Sequence, residues 1–240
     1  ISNERPAEYT GRADYLSLDH LRECWFHITN RCNLNCRHCM FCSGPEEKTE
    51  LEFQRLEKAV EQAYELGCNI FYFTGGEPFV YPGFTDICDK ILSRPGTHVV
   101  ILTNGVAVDR FSQWLENVDS ERLHFQVSLD GLKQTNDLLR GAGTFDKVTA
   151  NMKFLTDRDF AITLSTAVTR QNVGQMKKLV SLAGSLDVRN VHFMWLFRKG
   201  NEHGEHLVSP EAITEQLFAA ADEAEASGVM IDNIEIIKSQ

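Results

Sequence analysis

Short, nearly continuous apolar runs recur along the chain, and amphipathic segments separate them. The runs do not alternate strictly between apolar and polar residues, which indicates strands buried on both faces of a parallel sheet. We predict six such strands, at residues 24–29, 69–74, 97–103, 123–129, 160–168 and 190–196.

The segments between these strands show the apolar spacing of amphipathic helices. In the clearest one, residues 49–66, Thr49 and Glu52 have the spacing of a capping box. In the last one, Ser209 is the predicted N-cap and Pro210 the first helical residue. The other helices are predicted at 82–92, 108–118, 144–156, 172–186 and 210–227.

The repeated strand and helix units predict an α/β fold with a parallel sheet. Six units are too few for a closed eight-stranded barrel. We therefore expect a partial (β/α)6 barrel at residues 23–228, and an open doubly wound sheet is the alternative. Residues 1–22 are predicted to be an N-terminal segment. Residues 229–240 are predicted to be an exit strand or a linker toward a C-terminal extension.

Charge and composition narrow the class of protein. The chain has 240 residues, of which 42% are hydrophobic, and this is enough to bury a large core. Its formal net charge of -10 disfavours a nucleic-acid partner, because proteins that bind phosphate backbones usually present a basic face. No apolar run reaches the length of a membrane span, and the first residues lack the apolar core of a signal peptide. We expect a cytoplasmic protein with no membrane partner.

Four of the seven cysteines lie within residues 32–42, in the sequence CNLNCRHCMFC. This clustering indicates a metal or redox site and not a disulfide framework. Cys32, Cys36 and Cys39 form a C-x3-C-x2-C pattern, and Cys42 extends it. Three thiolates on a short loop can each bind one iron of a 4Fe-4S cube. The other cysteines lie in or beside apolar segments and are predicted to pack in the core: Cys24, Cys68 and Cys88.

Other interpretations of the loop remain open from the residues alone. His38 with Cys36, Cys39 or Cys42 could form a zinc site, although structural zinc sites normally draw a second pair of ligands from another segment. Cys36, Cys39 and Cys42 have the C-x2-C-x2-C spacing of a ferredoxin, but no Cys-Pro pair follows. Unliganded thiols are the remaining alternative.

Further polar and glycine-rich motifs follow the predicted strands. TGGEP comes at residues 74–78, TNG at 103–105 and SLDG at 128–131. Parallel strands gather their carboxyl ends at one edge, where α/β proteins place their chemistry. Each motif could also be an ordinary turn, because Asn, Asp and Gly tolerate left-handed backbone conformations.

The cysteine loop directly after the first strand, with GGEP directly after the second, resembles the radical S-adenosylmethionine (radical SAM) superfamily. The resemblance implies that Cys32, Cys36 and Cys39 hold a 4Fe-4S cluster and that S-adenosylmethionine binds the fourth iron. Reductive cleavage of that cofactor would give a 5'-deoxyadenosyl radical that abstracts hydrogen from a substrate. His38 departs mildly from the family pattern, which often has an aromatic residue there.

The same resemblance and the strand-end positions suggest contacts to S-adenosylmethionine. Glycine backbone would approach the cofactor closely, and a carboxylate would contact its ammonium group. Polar residues at the strand ends would contact its ribose and its carboxylate. An arginine would pair with that carboxylate, and an aromatic ring would cover the adenine. Turn formation, core packing or a solvated arginine would explain the same residues without the cofactor. The candidates, in that order, are Gly75, Gly76 and Glu77; Thr103, Asn104, Ser128 and Asp130; Arg140; and Phe197.

The motifs look most like the peptide-modifying SPASM or twitch branch, which usually carries a cysteine-rich C-terminal extension. No cysteine follows Cys88 in this sequence. The resemblance implies a peptide or protein substrate and a reducing electron donor such as flavodoxin or ferredoxin. Alternatives are a small-molecule enzyme of tetrapyrrole or cofactor biosynthesis, and a non-catalytic iron-sulfur electron carrier or zinc-binding module.

Overall fold

The computed structural model describes residues 20–201 and 204–233, and its strands form one parallel sheet in chain order. Within these ranges no pairing joins the first strand to the last, so the sheet is open. The predicted partial barrel of parallel strands is confirmed, and the predicted exit segment supplies a seventh strand. The strands are β1 (Glu23–His27), β2 (Ile70–Thr74), β3 (His98–Thr103), β4 (Leu123–Ser128), β5 (Ala161–Val168), β6 (Asn190–Trp195) and β7 (Met230–Ile231).

Helices connect the strands and cover one face of the sheet. None of those in the described ranges is long and apolar enough to cross a membrane. Most of the predicted N-terminal segment, and the exit segment beyond residue 233, lie outside the described residues. The helices are α1 (Phe53–Glu65), α2 (Phe84–Leu92), α3 (Ser112–Leu115), α4 (Lys133–Arg140), α5 (Thr144–Thr156), α6 (Met176–Ser185) and α7 (Pro210–Ser227).

The two faces of the sheet have different surroundings. Alternate strand residues such as Phe71, Phe125 and Phe193 are fully buried against the helices. The intervening residues face the interior of the open barrel, where Trp25 and Tyr72 stack with ring centroids 4.1 Å apart. The core therefore lies between sheet and helices, and the inner wall remains available for a site.

The capping box predicted at Thr49 and Glu52 is wrong. Helix α1 begins at Phe53, and the side chain of Glu52, at the N-cap, makes no capping hydrogen bond. Residues 49–51 are extended instead, because they pair with the chain that follows β1: the Asn30 amide donates to the Thr49 carbonyl at 2.7 Å. These long-range backbone hydrogen bonds replace the first helical turn.

Two other helical segments differ from the prediction. The predicted helix at 108–118 is a 3-10 turn, Val108–Phe111, followed by the short helix α3. Helix α4 was not predicted, because its sequence KQTNDLLR is mostly polar and buries only Asn136 and Leu139. This short helix matters for the site, since it ends at Arg140.

The predicted start of α7 is confirmed. Ser209 is the N-cap, and its Oγ accepts a hydrogen bond from the Ala212 amide at 3.3 Å, with Pro210 in the first turn. Helix α7 lies beside α6, where the Ser181 hydroxyl donates to Glu223 at 2.7 Å.

Loss of this cap should be measurable in the intact chain. Replacing Ser209→Ala leaves an amide at the helix start without its acceptor and should lower the free energy of unfolding by about 1 kcal/mol. Ser209→Asp, which restores an acceptor, should keep most of the stability. Urea denaturation measures both variants. An equal loss in the two variants would contradict the capping role.

Candidate active site

A cavity of about 230 Å³ lies at the carboxyl end of the strands. The cysteine loop, the glycine pair after β2 and the residues after β6 close its sides. Several inward-facing strand residues form its wall: Thr74, Leu102, Gln126, Ser128, Ser165, Ala167 and Met194. The cavity therefore lies at the sheet edge where the sequence motifs were expected to meet.

The cysteine loop folds back on itself beside this cavity. The Cys32 amide donates to the Gly44 carbonyl at 3.0 Å, which closes the base of the loop. Cys32, Cys36 and Cys39 all line the cavity. Cys42 is exposed, is not among the lining residues, and has a positive φ of 53°. The structure thus separates the C-x3-C-x2-C thiols from the fourth thiol of the loop.

The surroundings of these sulfur atoms suit an iron-sulfur cluster. The Leu34 amide lies 3.4 Å from Cys32 Sγ, and the Ser43 amide lies 3.3 Å from Cys39 Sγ. Hydrogen bonds of this kind help to set the potential of a cluster. Burial raises the pKa of the Cys32 thiol to about 12, so bound iron would have to supply the positive charge that favours the thiolate.

A site for one metal ion is less well matched. Within the described ranges, no three His, Cys, Asp or Glu side chains form a group that could hold one metal ion. The thiolates of a cube bind separate irons and do not have to converge on one point.

Gly75 and Gly76 pack their backbone against the chain that leads into the cysteine loop. The Gly76 amide donates to the Thr29 carbonyl at 2.5 Å. A Cβ added at Gly76 would lie 2.2 Å from the Arg31 carbonyl oxygen, and Gly75 has a φ of 149°. No side chain fits at either position. Both glycines also line the cavity, as expected of backbone that approaches a cofactor.

Glu77 has a different position from its neighbours. Its side chain is fully buried and does not line the cavity. It accepts hydrogen bonds from the Thr103 hydroxyl at 2.8 Å and from the Asn104 backbone amide at 2.7 Å. The carboxyl group therefore ties the end of β2 to the end of β3, and its predicted contact with the cofactor ammonium group stays a prediction.

Asp130 is fully buried, and its carboxylate is hydrogen-bonded to two side chains from other segments. It accepts hydrogen bonds from Arg140 Nε at 2.5 Å and from His38 Nε2 at 2.8 Å. Burial alone would raise the pKa of Asp130, but the charge of Arg140 and the hydrogen bonds from His38 and Arg140 outweigh it and hold the pKa well below its usual range. Asp130 does not line the cavity, whereas Arg140 and His38 do.

The other predicted contacts reach the cavity from different sides. Thr103, Asn104 and Ser128 line it, and Phe197 lies at its edge with 68% of its surface exposed. Asn104 Nδ2 donates to Asn33 Oδ1 at 2.7 Å. Of the twelve predicted site residues, all except Glu77 and Asp130 line one cavity.

Sequence reasoning missed several lining residues on the strands. Gln126 and Ser165 face the cavity, and the side-chain Nε2 of Gln126 donates a hydrogen bond to the Ser165 hydroxyl at 3.1 Å. The two-residue period of a strand is the signal for them, because Gln126 shares a face with Ser128. The pairing of His38 with Asp130 had no local signal.

The buried Glu77 should make the stability depend on pH. Burial raises its pKa to about 7, above the ordinary ~4.3 of an unfolded chain. Between these values the folded protein keeps a proton that the unfolded chain has lost, so the free energy of unfolding should fall as pH rises. Glu77→Gln cannot titrate. Urea denaturation from about pH 5 to about pH 8 should show the wild type losing stability relative to this variant, and a constant difference would refute the pKa shift.

Comparison with known proteins agrees with this geometry. The family model of the Radical SAM superfamily matches residues 26–183. The antilisterial bacteriocin subtilosin biosynthesis protein AlbA of Bacillus subtilis (strain 168) is 26% identical over 193 residues, which are 80% of this chain and 42% of AlbA. The AdoMet-dependent heme synthase of Methanosarcina barkeri (strain Fusaro / DSM 804) is 29% identical over 189 residues, 77% of this chain and 53% of that protein.

A solved structure shares the fold. Streptococcus suis SuiB bound to precursor peptide SuiA matches with a TM-score of 0.73 at 16% identity, over 89% of this chain and 48% of that one. The chain thus spans about half the length of the relatives that it matches. Because the family model covers more than half of the sequence, the chain belongs to the radical SAM superfamily.

Proposed function

We propose that this chain is the core of a radical SAM enzyme that abstracts a hydrogen atom from a side chain of a peptide or protein. Membership of the superfamily identifies the cofactors as a 4Fe-4S cluster and S-adenosylmethionine. The observation that carries the proposal is the meeting of three cysteines, two glycines and an arginine, whose side chain is 11% exposed, at one cavity. No other part of the described chain combines these groups.

When bound, the two cofactors supply a radical strong enough to take hydrogen from an unactivated carbon. The residues of the chain hold and orient them. Cys32, Cys36 and Cys39 would bind the cluster, and Arg140 would pair with the cofactor carboxylate. Because Asp130 fixes the guanidinium from behind, Arg140 needs little reordering when a ligand binds.

The walls of the cavity would exclude water from the reaction. Met40, Leu196 and Phe197 present apolar side chains on the side of the cysteine loop and of the chain after β6. A dry site protects a radical from side reactions and strengthens the hold of Arg140 on an anionic group. Phe197 is the proposed cover for adenine, since an aromatic face stacks on a base.

The proposed substrate class rests on relatives and on the inner wall. AlbA is described as a biosynthesis protein of a bacteriocin, and SuiB was solved bound to the precursor peptide SuiA. Both relatives support the peptide-modifying branch. Below the cavity, the stacked Trp25 and Tyr72 give one side of the wall an aromatic surface, and Gln126 and Ser165 make the other side polar. Such a wall suits a side chain with apolar and polar parts. Flavodoxin or ferredoxin is the proposed electron donor.

A small-molecule substrate is the second candidate. The AdoMet-dependent heme synthase of Methanosarcina barkeri is similar over most of this chain, at 29% identity. A tetrapyrrole would have to fit the same inner wall. A substrate assay therefore has to include a tetrapyrrole.

The assignment of cluster ligands predicts a contrast between two cysteines of one loop. Cys32→Ala removes a thiol that lines the cavity and should abolish formation of 5'-deoxyadenosine. Cys42→Ala removes an exposed thiol outside the cavity and should leave it within about twofold of wild type, in line with an exposed substitution.

The measurement uses protein reconstituted anaerobically with iron and sulfide, reduced with dithionite and given S-adenosylmethionine. Liquid chromatography with mass spectrometry quantifies the product. If loss of Cys42 abolishes activity and loss of Cys32 does not, the C-x3-C-x2-C assignment is wrong. A cluster without any product in the wild type would favour an electron carrier.

The substrate proposal predicts a chemical change in a peptide. The reduced enzyme should convert at least one precursor peptide encoded next to its gene, seen as a change in mass or, for epimerisation, in retention time at constant mass. The Cys32→Ala variant is the matched control. Conversion of an added tetrapyrrole, with every peptide unchanged, would instead support the small-molecule alternative.

A further inference from the structure

The chain that follows β6 lies directly against the cysteine loop. The Asn201 backbone amide donates a hydrogen bond to the Cys39 carbonyl at 2.9 Å. The Asn201 side-chain Nδ2 donates to the Cys36 carbonyl at 3.4 Å. Two of the three predicted cluster ligands are thus held through their own carbonyl groups by one residue, which is 162 positions farther along the chain than Cys39.

Gly200 makes this contact sterically possible. Its φ is 67°, and a Cβ added there would lie 2.3 Å from the Met40 carbonyl oxygen and 2.4 Å from that of Cys39. These neighbours are backbone atoms and cannot swing aside like a flexible side chain. The contact therefore requires a glycine for both its conformation and its lack of a side chain.

We propose that Gly200 and Asn201 are positioning residues for the iron-sulfur cluster. They would fix the backbone of Cys36 and Cys39 and, with it, the direction in which the two sulfur atoms point. This inference rests on the proposed function, because it assigns these cysteines to the cluster. It adds two residues outside the cysteine motif to the machinery that holds it.

The sulfur of Cys39 shows how a backbone contact reaches the cluster. Cys39 Sγ lies 3.3 Å from the Ser43 amide, so a displaced Cys39 backbone would weaken this N–H···S hydrogen bond. Hydrogen bonds to the sulfurs favour the more negatively charged reduced cluster and raise its potential. A contact made at the carbonyl of residue 39 is therefore expected to affect the midpoint potential.

The same segment also forms part of the cofactor cavity. Phe197 lies at the cavity edge, three residues before Gly200 in the chain. The cysteine loop and the proposed adenine cover are consequently placed relative to each other by one backbone contact. Displacing either segment should disturb the other.

The test compares two glycines of the same segment. Gly200→Ala introduces a Cβ into the cysteine-loop backbone, whereas Gly204→Ala, also at positive φ, brings its Cβ no closer than 3.4 Å to the flexible side chain of Arg198. An alanine is strained at least as much at the φ of 105° of Gly204 as at the φ of 67° of Gly200. Any larger effect of Gly200→Ala on the cluster therefore reports the contact with the cysteine loop. Circular dichroism checks that each variant is folded.

Each protein is reconstituted with iron and sulfide, and two properties of the cluster are measured. Gly200→Ala should release iron to a chelator at least roughly fivefold faster than Gly204→Ala, the factor expected for one lost hydrogen bond. Its midpoint potential, from a redox titration followed by electron paramagnetic resonance, should be lower than that of wild type. Gly204→Ala should match wild type in both properties.

Asn201→Ala provides a second variant that does not crowd the backbone. It keeps the hydrogen bond from its backbone amide to the Cys39 carbonyl and loses only the side-chain hydrogen bond to the Cys36 carbonyl. Its rate of iron release should therefore lie between those of wild type and Gly200→Ala. If wild type holds a 4Fe-4S cluster and both variants match Gly204→Ala in iron release and potential, the positioning role is wrong. If wild type itself assembles no 4Fe-4S cluster, the proposed function fails and this inference fails with it.

Discussion

The buried carboxylate of Asp130 is the interaction on which the organisation of the site depends. A charge with no exposed surface is tolerated only when it is paired and hydrogen-bonded. Asp130, after β4, meets this requirement with Arg140 from the end of α4, His38 from the cysteine loop and the Ala167 amide from β5. Four separate segments are thereby fixed around one point directly behind the cavity.

Glu77, the second buried carboxyl group of the site, shows that the hydrogen-bond partners decide the direction of a pKa shift. Glu77 receives only neutral donors, from Thr103, Asn104 and Phe79, and burial raises its pKa to about 7. Asp130 has the cationic guanidinium of Arg140 as a partner, and its pKa lies far below that of a free aspartate. Glu77 thus joins two strand ends as a hydrogen-bond acceptor, whereas Asp130 holds the guanidinium of Arg140 in place.

The sequence was sufficient for features that depend on local pattern. Apolar runs located the strands, Ser209 and Pro210 located the start of α7, and the cysteine and glycine motifs located the rim of the cavity. Features that depend on distant pairing were not predictable. The backbone pairing of residues 28–30 with residues 49–51 replaced the expected capping box, and no local pattern connects Asn201 with Cys39.

Helix α4 and His38 show the same limit at smaller scale. The helix is short and polar, so periodicity gave no signal, yet it positions the arginine of the site. His38 was noted as a possible zinc ligand and as a departure from an aromatic residue, not as a partner of Asp130. Its pairing with Asp130 became visible only when residues 92 positions apart in the chain were brought together by the fold.

The open sheet has a consequence for how a substrate enters. A closed barrel admits a ligand only from its end, so a polypeptide must present a terminus or a tight loop. Here β1 and β7 are both edge strands in the described residues, and Trp25 on β1 has 52% of its surface exposed beside the gap. For the proposed peptide substrate, the opening between these edges would let a residue in the middle of a long polypeptide approach sideways, with the polypeptide continuing on either side.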